Sequence, residues 1–128
     1  NLGMEKKLVF EYIRNPDGTS AFETFLDALP LKDAAKLLGV LEKTEKYGLL
    51  VAAQNQWVKK LEPNLFELRS KVGSNIQRAL YFHVVGDRYV ITHGFTKKTQ
   101  KTPEPEKKRA REIRDRFLEE ENNGNSKS

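Results

Sequence analysis

The run LFELRSKVGSNIQRALYFHVVGDRYVITHGFTKKTQKTP, residues 65–103, decides the reading of this chain. Its first segment, Leu65 to Lys71, alternates with the period of a half-buried strand, Phe66 and Leu68 on one side and Glu67, Arg69 and Lys71 on the other. Val72-Gly73-Ser74-Asn75 turns the chain, and Ile76 to Val85 supplies a second strand. Gly86-Asp87 signals a tight hairpin, and Arg88 to Thr96 supplies a third strand. Three consecutive strands joined this way form, most economically, an antiparallel meander. Between Arg69 and Lys101 stand seven basic residues (Arg69, Lys71, Arg78, Arg88, Lys97, Lys98, Lys101) and one acid, Asp87. A sheet with that field concentrates polyanions, of which nucleic acid is the obvious one.

Working outward, Lys7 to Ile13 is rich in β-branched and aromatic residues and ends at Asn-Pro-Asp-Gly, where Gly18 accepts a positive φ; this predicts a first strand. Thr19 or Ser20 offers an N-cap, and Phe22, Phe25, Leu26 and Leu29 recur at helical spacing until Pro30 ends the pattern. A second helical pattern runs from Leu31 through Leu41 to Tyr47, with Gly48 as its cap. The two helices predict an α-hairpin laid on the sheet. Residues 49–64, including Trp57, lack periodicity and read as a loop. Beyond Pro103, Glu104 and Glu106 suit a helix start, and Ala110, Ile113, Phe117 and Leu118 form an apolar stripe. The expectation is one α+β domain over residues 4–118: an N-terminal strand and α-hairpin on a three- to four-stranded antiparallel sheet, closed by a C-terminal helix. A disordered tail is expected over 119–128.

Length, charge and cysteine content bound the function. With 128 residues the chain holds one ordinary core. Residues 1–64 carry nine Lys/Arg against nine Asp/Glu, whereas residues 65–128 carry fourteen against nine, so the basic surplus belongs to the second half. No cysteine means no disulfide and no thiolate metal site. No apolar run approaches the roughly 18 residues of a spanning helix, and the start lacks a signal-peptide pattern; a cytoplasmic protein without membrane contact is expected. Asn1-Leu2-Gly3 ahead of Met4 reads as a cloning remnant. No phosphate-binding glycine loop, Cys/His metal spacing or carboxylate cluster for two metals is present, so neither metal nor cofactor is expected.

The element order, together with ELR at 67–69, QRALYF at 77–82 and HGFTKKTQKTP at 93–103, resembles the RelE/HigB-like toxins of bacterial toxin–antitoxin systems, nearest the phage-derived Gp49-like HigB group. The resemblance spans about Met4 to Leu118 and is most specific from Gly94 to Pro103. It implies a RelE-like fold and a metal-independent endoribonuclease that cuts messenger RNA in the ribosomal A site. It also implies silencing by a cognate antitoxin, usually a helix-turn-helix protein. By this resemblance Arg69 and Arg78 match strand residues that contact the scissile phosphate, and Lys97 and Lys98 match the basic pair ending the last strand. Glu67 stands where other branches carry Lys or Glu. The tail lacks the Tyr or late His that some members use for proton transfer.

RNA cleavage without a metal needs an aligned 2′-hydroxyl, groups to take and give protons, and fixed cations for the charge growing on phosphorus. Arginine's planar fork suits the last role, hence Arg78 and then Arg69. Lys97, beside Lys98, is the candidate acid, and His93 can share proton transfer. Lys71, Lys98 and Lys101 would guide the RNA backbone. On this reading Arg78→Ala stops cutting and leaves folding intact. Plainer readings stand beside these. The strand cations can be a solvated face that discourages edge pairing. Tyr81, Phe82, Tyr89 and Phe95 can be core rather than base-stacking platforms, His83 reads as structural, and the helix of residues 106–116 can be laced by its own ion pairs. Two other functions fit the same fold: a ParE-like toxin that poisons gyrase without cutting RNA, and a nucleic-acid-binding module without catalysis.

Overall fold

The computed structural model describes residues 5–127; the expected domain start at Met4, the three residues before it and Ser128 lie outside the described residues. The chain runs β1 (Val9–Tyr12), α1 (Ala21–Ala28), α2 (Leu31–Tyr47), α3 (Leu49–Gln54), β2 (Val58–Glu62), β3 (Leu65–Val72), β4 (Asn75–Val85), β5 (Arg88–Lys97) and α4 (Glu104–Lys127). The α+β class and the α-hairpin on a sheet hold. The sheet has five strands in the order β1-β5-β4-β3-β2, not three or four, and it is mixed: β1 lies parallel to β5 while the other pairings are antiparallel. The additional strand is β2, within the stretch expected to be loop. Its exposed Lys59 and Lys60 mark it as an outer strand.

Local chemistry accounts for the element ends. Ser20 caps α1, its hydroxyl accepting from the Glu23 N–H. Pro30 separates α1 from α2, and Gly48 closes α2 with φ 92°, a conformation costly for a residue with a Cβ. The hairpin turns fall at Gly73 and Gly86, both with positive φ. The helix α4 continues to Lys127, through 119–127, where disorder was expected; Arg88 on β5 reaches Glu121 and tethers this part of the helix to the sheet.

The sheet separates two cores. On one face α1 and α2 cover Phe10, Leu68, Ala79, Tyr81 and Ile91 with Phe22, Leu37, Val40 and Leu41. On the other, α4 covers a smaller group, Leu65, Leu80, Phe95 and Ala110. Tyr81, Phe82 and Phe95 are buried, so these rings are core. His83 is structural as expected, its Nε2 2.8 Å from the Gly86 carbonyl and its ring against Tyr89.

Candidate functional site

Strand register aligns the basic residues in rows on the α4 face. Arg69 pairs with Arg78 and Arg78 with Phe95; one row further out, Lys71 pairs with Ile76 and Ile76 with Lys97; on the inner side, Glu67 pairs with Leu80 and Leu80 with His93. Alternation along each strand puts all of these side chains on one face. Beyond α4's first turn that face is covered only by the connection of residues 98–103.

Arg69 and Arg78 meet there, on the chain's own backbone. The Arg78 Nη1 donates to the Gln100 carbonyl at 3.1 Å and to the Thr102 hydroxyl at 3.2 Å, and its Nη2 donates to the Thr99 carbonyl. Arg69 donates from Nη2 to the same Gln100 carbonyl at 2.6 Å and from Nη1 to the Gln100 side chain at 2.9 Å. Between the arginines sits Glu67, completely buried. It accepts from Arg69 Nε and the Thr102 hydroxyl and lies 3.7 Å from Arg78 Nη1. Two cations and one buried carboxylate thus pin the strand-to-helix connection. Burial pushes the Arg78 pKa down, and Glu67 offsets part of that shift. Arg78 is itself fully buried, so the expectation that it can be replaced without loss of fold is corrected: its removal leaves a cavity and a buried Glu67 balanced by Arg69 alone. Arg69 keeps 17% of its side chain exposed and is the arginine that solvent reaches.

The lysines differ. Lys71, Lys97, Lys98 and Lys101 are exposed, and none forms an ion pair among the described residues. Half of the cations in residues 106–116 are engaged: Arg111 with Glu62 and Glu104, Lys107 with Glu104, and Arg114 with Asp115 and the Pro63 carbonyl. Lys108, Arg109 and Arg116 form no ion pair among the described residues, so the run is laced only in part.

His93 lies apart from this surface. It is buried, with Nε2 2.9 Å from Glu106 and Nδ1 3.0 Å from the Thr92 hydroxyl. Burial holds its pKa below the ordinary 6.5, more than the Glu106 hydrogen bond raises it. The neutral ring thus donates from Nε2 to Glu106, fastening α4 to β5, while the Thr92 hydroxyl beside Nδ1 donates to the Leu80 carbonyl. That is a packing role, and proton transfer with an external substrate does not fit a ring so enclosed.

The structure therefore brings Arg69, Arg78, Lys71 and Lys97 to one face, with Lys98 and Lys101 on the adjoining connection, and leaves His93 beneath α4. Thr99, Gln100 and Thr102 were not singled out as site residues, although the TKKTQKT motif contains them; as backbone and hydroxyl partners they leave little mark in residue type. Among the described residues no group of three or more His, Cys, Asp or Glu side chains stands where it could hold a metal ion. No helix is long and apolar enough to cross a membrane.

The family model of phage-derived Gp49-like proteins (DUF891) matches residues 24–115, well over half of the chain, from α1 to the middle of α4. No curated protein sequence matches.

Proposed function

Since the chain belongs to the phage-derived Gp49-like family, a family associated with toxins of toxin–antitoxin pairs, we propose that it is such a toxin and acts as a ribosome-dependent, metal-independent messenger RNA endoribonuclease. The observation that carries the reading is the set of unpaired Lys97, Lys98 and Lys101 around a connection held rigid by Arg69, Arg78 and Glu67. Unpaired lysines cost nothing to redirect toward phosphate, whereas a cation already bound to a carboxylate must first lose that partner. Arg69, partly exposed, keeps Nε on Glu67 and turns its Nη groups from the neutral Gln100 partners to the charge that develops on phosphorus. Arg78 acts indirectly, by shaping the backbone of residues 99–102. Lys97 gives the proton to the leaving 5′-oxygen, and Lys71, Lys98 and Lys101 guide the backbone.

A site of fixed cations, without a strongly tuned base, aligns the 2′-hydroxyl poorly by itself. On this proposal the ribosome supplies that alignment, and free RNA is cut slowly. A cognate antitoxin, expected to be a helix-turn-helix protein, silences the toxin by covering the basic face or blocking its entry into the ribosome.

The test is mapping of message ends in a translation extract given wild-type protein or Lys97→Ala. Cuts within A-site codons are expected from the wild type, falling about 10²- to 10⁴-fold in the variant with its folding unchanged. Unaltered cutting by Lys97→Ala rejects the site assignment. An absence of new message ends, with DNA damage on induction in cells, transfers the chain to the gyrase-poisoning class; neither outcome leaves a passive binder.

A further inference from the structure

A groove of about 460 Å³ opens where β3 outruns its neighbour. The pairing of β2 with β3 reaches only Leu68, and after the Arg69 N–H, which donates to the Trp57 carbonyl at 2.8 Å, β3 continues as an uncovered edge. The groove is walled by Lys36 and Lys43 of α2, by Trp57, and by Arg69, Ser70 and Lys71 of β3. Four cations line it and no acid does. Of the four, only Arg69 sits on a carboxylate, that of Glu67 on the neighbouring site. Lys36, Lys43 and Lys71 are exposed and form no ion pair among the described residues, and the Lys43 ammonium stands 4.8 Å from the centre of the Trp57 ring.

Two further features single out this place. Ser70 is 6% exposed, and its buried hydroxyl has no hydrogen-bond partner among the described residues. Gln56, on the rim, holds a φ of 60°, left-handed backbone that costs energy for a residue with a side chain and tends to collect at binding sites. Concave and cationic, with three lysines that no carboxylate engages among the described residues, the groove is built for a chain of phosphates.

We propose that this groove holds the backbone of the single-stranded RNA that flanks the cleaved linkage, with Lys36, Lys43 and Lys71 as its phosphate contacts; the inference rests on the endoribonuclease reading. RNA is favoured over an acidic peptide by continuity. Arg69 and Gln100 belong both to the groove wall and to the pinned connection bearing Lys98 and Lys101, so one polyanion spans both places. The groove adds length to the footprint and no chemistry.

Trp57 is the sole tryptophan, so its emission reports on the groove alone. The experiment titrates the full chain with a short single-stranded RNA carrying 2′-O-methyl groups, which cannot be cut, at several salt concentrations. A saturable change in Trp57 emission is expected. In the exposed-site double variant Lys36→Ala/Lys43→Ala the binding midpoint should weaken and the salt slope fall by about 1.4, or 0.7 per lost contact. Midpoint and slope are read, since removing Lys43 alters the starting emission. Emission unmoved by RNA, a midpoint unchanged in the double variant, or equal binding of a polyglutamate peptide each overturns the groove. If ribosome-bound message is still cut while emission stays unmoved, only the groove fails. If the groove binds RNA as described and no message is cut, the endoribonuclease reading fails and the binding site stands.

Discussion

The two faces of one sheet are stabilised by different physics. Toward α1 and α2 the strands present Phe10, Leu68, Ala79, Tyr81 and Ile91, and the helices answer with Phe22, Leu37 and Leu41; this face rests on apolar area removed from water. Toward α4 they present Glu67, Arg69, Arg78 and His93 around a small apolar group, and what closes over them is held by hydrogen bonds and charge. Neighbouring residues on the same strand serve the two: Leu68 packs on α2's side while Glu67 and Arg69 organise the other. Apolar area answers to pH and salt less than ions do, although the α1/α2 side is not free of charge: α2 buries Asp33, which accepts from Gln77, and Glu45, which accepts from the Phe10 N–H. The α4 face is the one from which Lys71 and Lys97 project.

The contrast can be broken most severely at Arg78. Arg78→Ala should lower unfolding free energy by about 3–5 kcal/mol, because Glu67 remains buried with one fewer cation. Urea unfolding measures this, and a loss below about 1 kcal/mol would mean the charged network holds little of the fold. On the opposite face, a Cβ at Gly94 would overlap the Phe25 ring of α1. Gly94→Ala should cost about 1–3 kcal/mol, the usual range for overpacking, and Gly94→Ala/Phe25→Ala should cost less than the two single losses summed, since Phe25 is itself packed in the core. Additive losses would place the strain elsewhere.

The smallest effect sharpens the comparison rather than breaking it. The native His93 ring has a pKa below 6.5, so as pH falls through that value the unfolded chain takes up its proton first. Its contribution is complete above about pH 6.5 and declines below it until the native ring is protonated too. Unfolding midpoints should therefore drop between pH 7.5 and 5.5, and drop less steeply in His93→Gln. Equal slopes in the two proteins would remove His93 from the account.

What the sequence disclosed follows the same division. The hairpins β3-β4-β5 were legible because alternation and the turns at Gly73 and Gly86 are local signals, and Pro30 and Gly48 bounded the helices for the same reason. The strand β2 was not. VKKLE carries two exposed lysines in succession and a register shift between Lys60 and Glu62, so its period is broken and only pairing with β3 makes it a strand. The helix α3, LLVAAQ, is too short to display a period. At the site, alternation grouped Glu67, Arg69 and Lys71 on one side of β3 but said nothing of what covers them. Arg78 is interior because the backbone of residues 99–102 folds over it, a contact with no signature in residue type.

The parallel pairing of β1 with β5, Val9 opposite Arg88, has a consequence for synthesis. The first strand to leave the ribosome must wait for the last. At 5–20 residues per second that delay is on the order of ten seconds, during which the amino-terminal strand has no neighbour and the sheet stays incomplete. A nascent chain stalled before β5 emerges should remain protease-sensitive at β1. The five-stranded sheet is thus completed only once β5 has emerged.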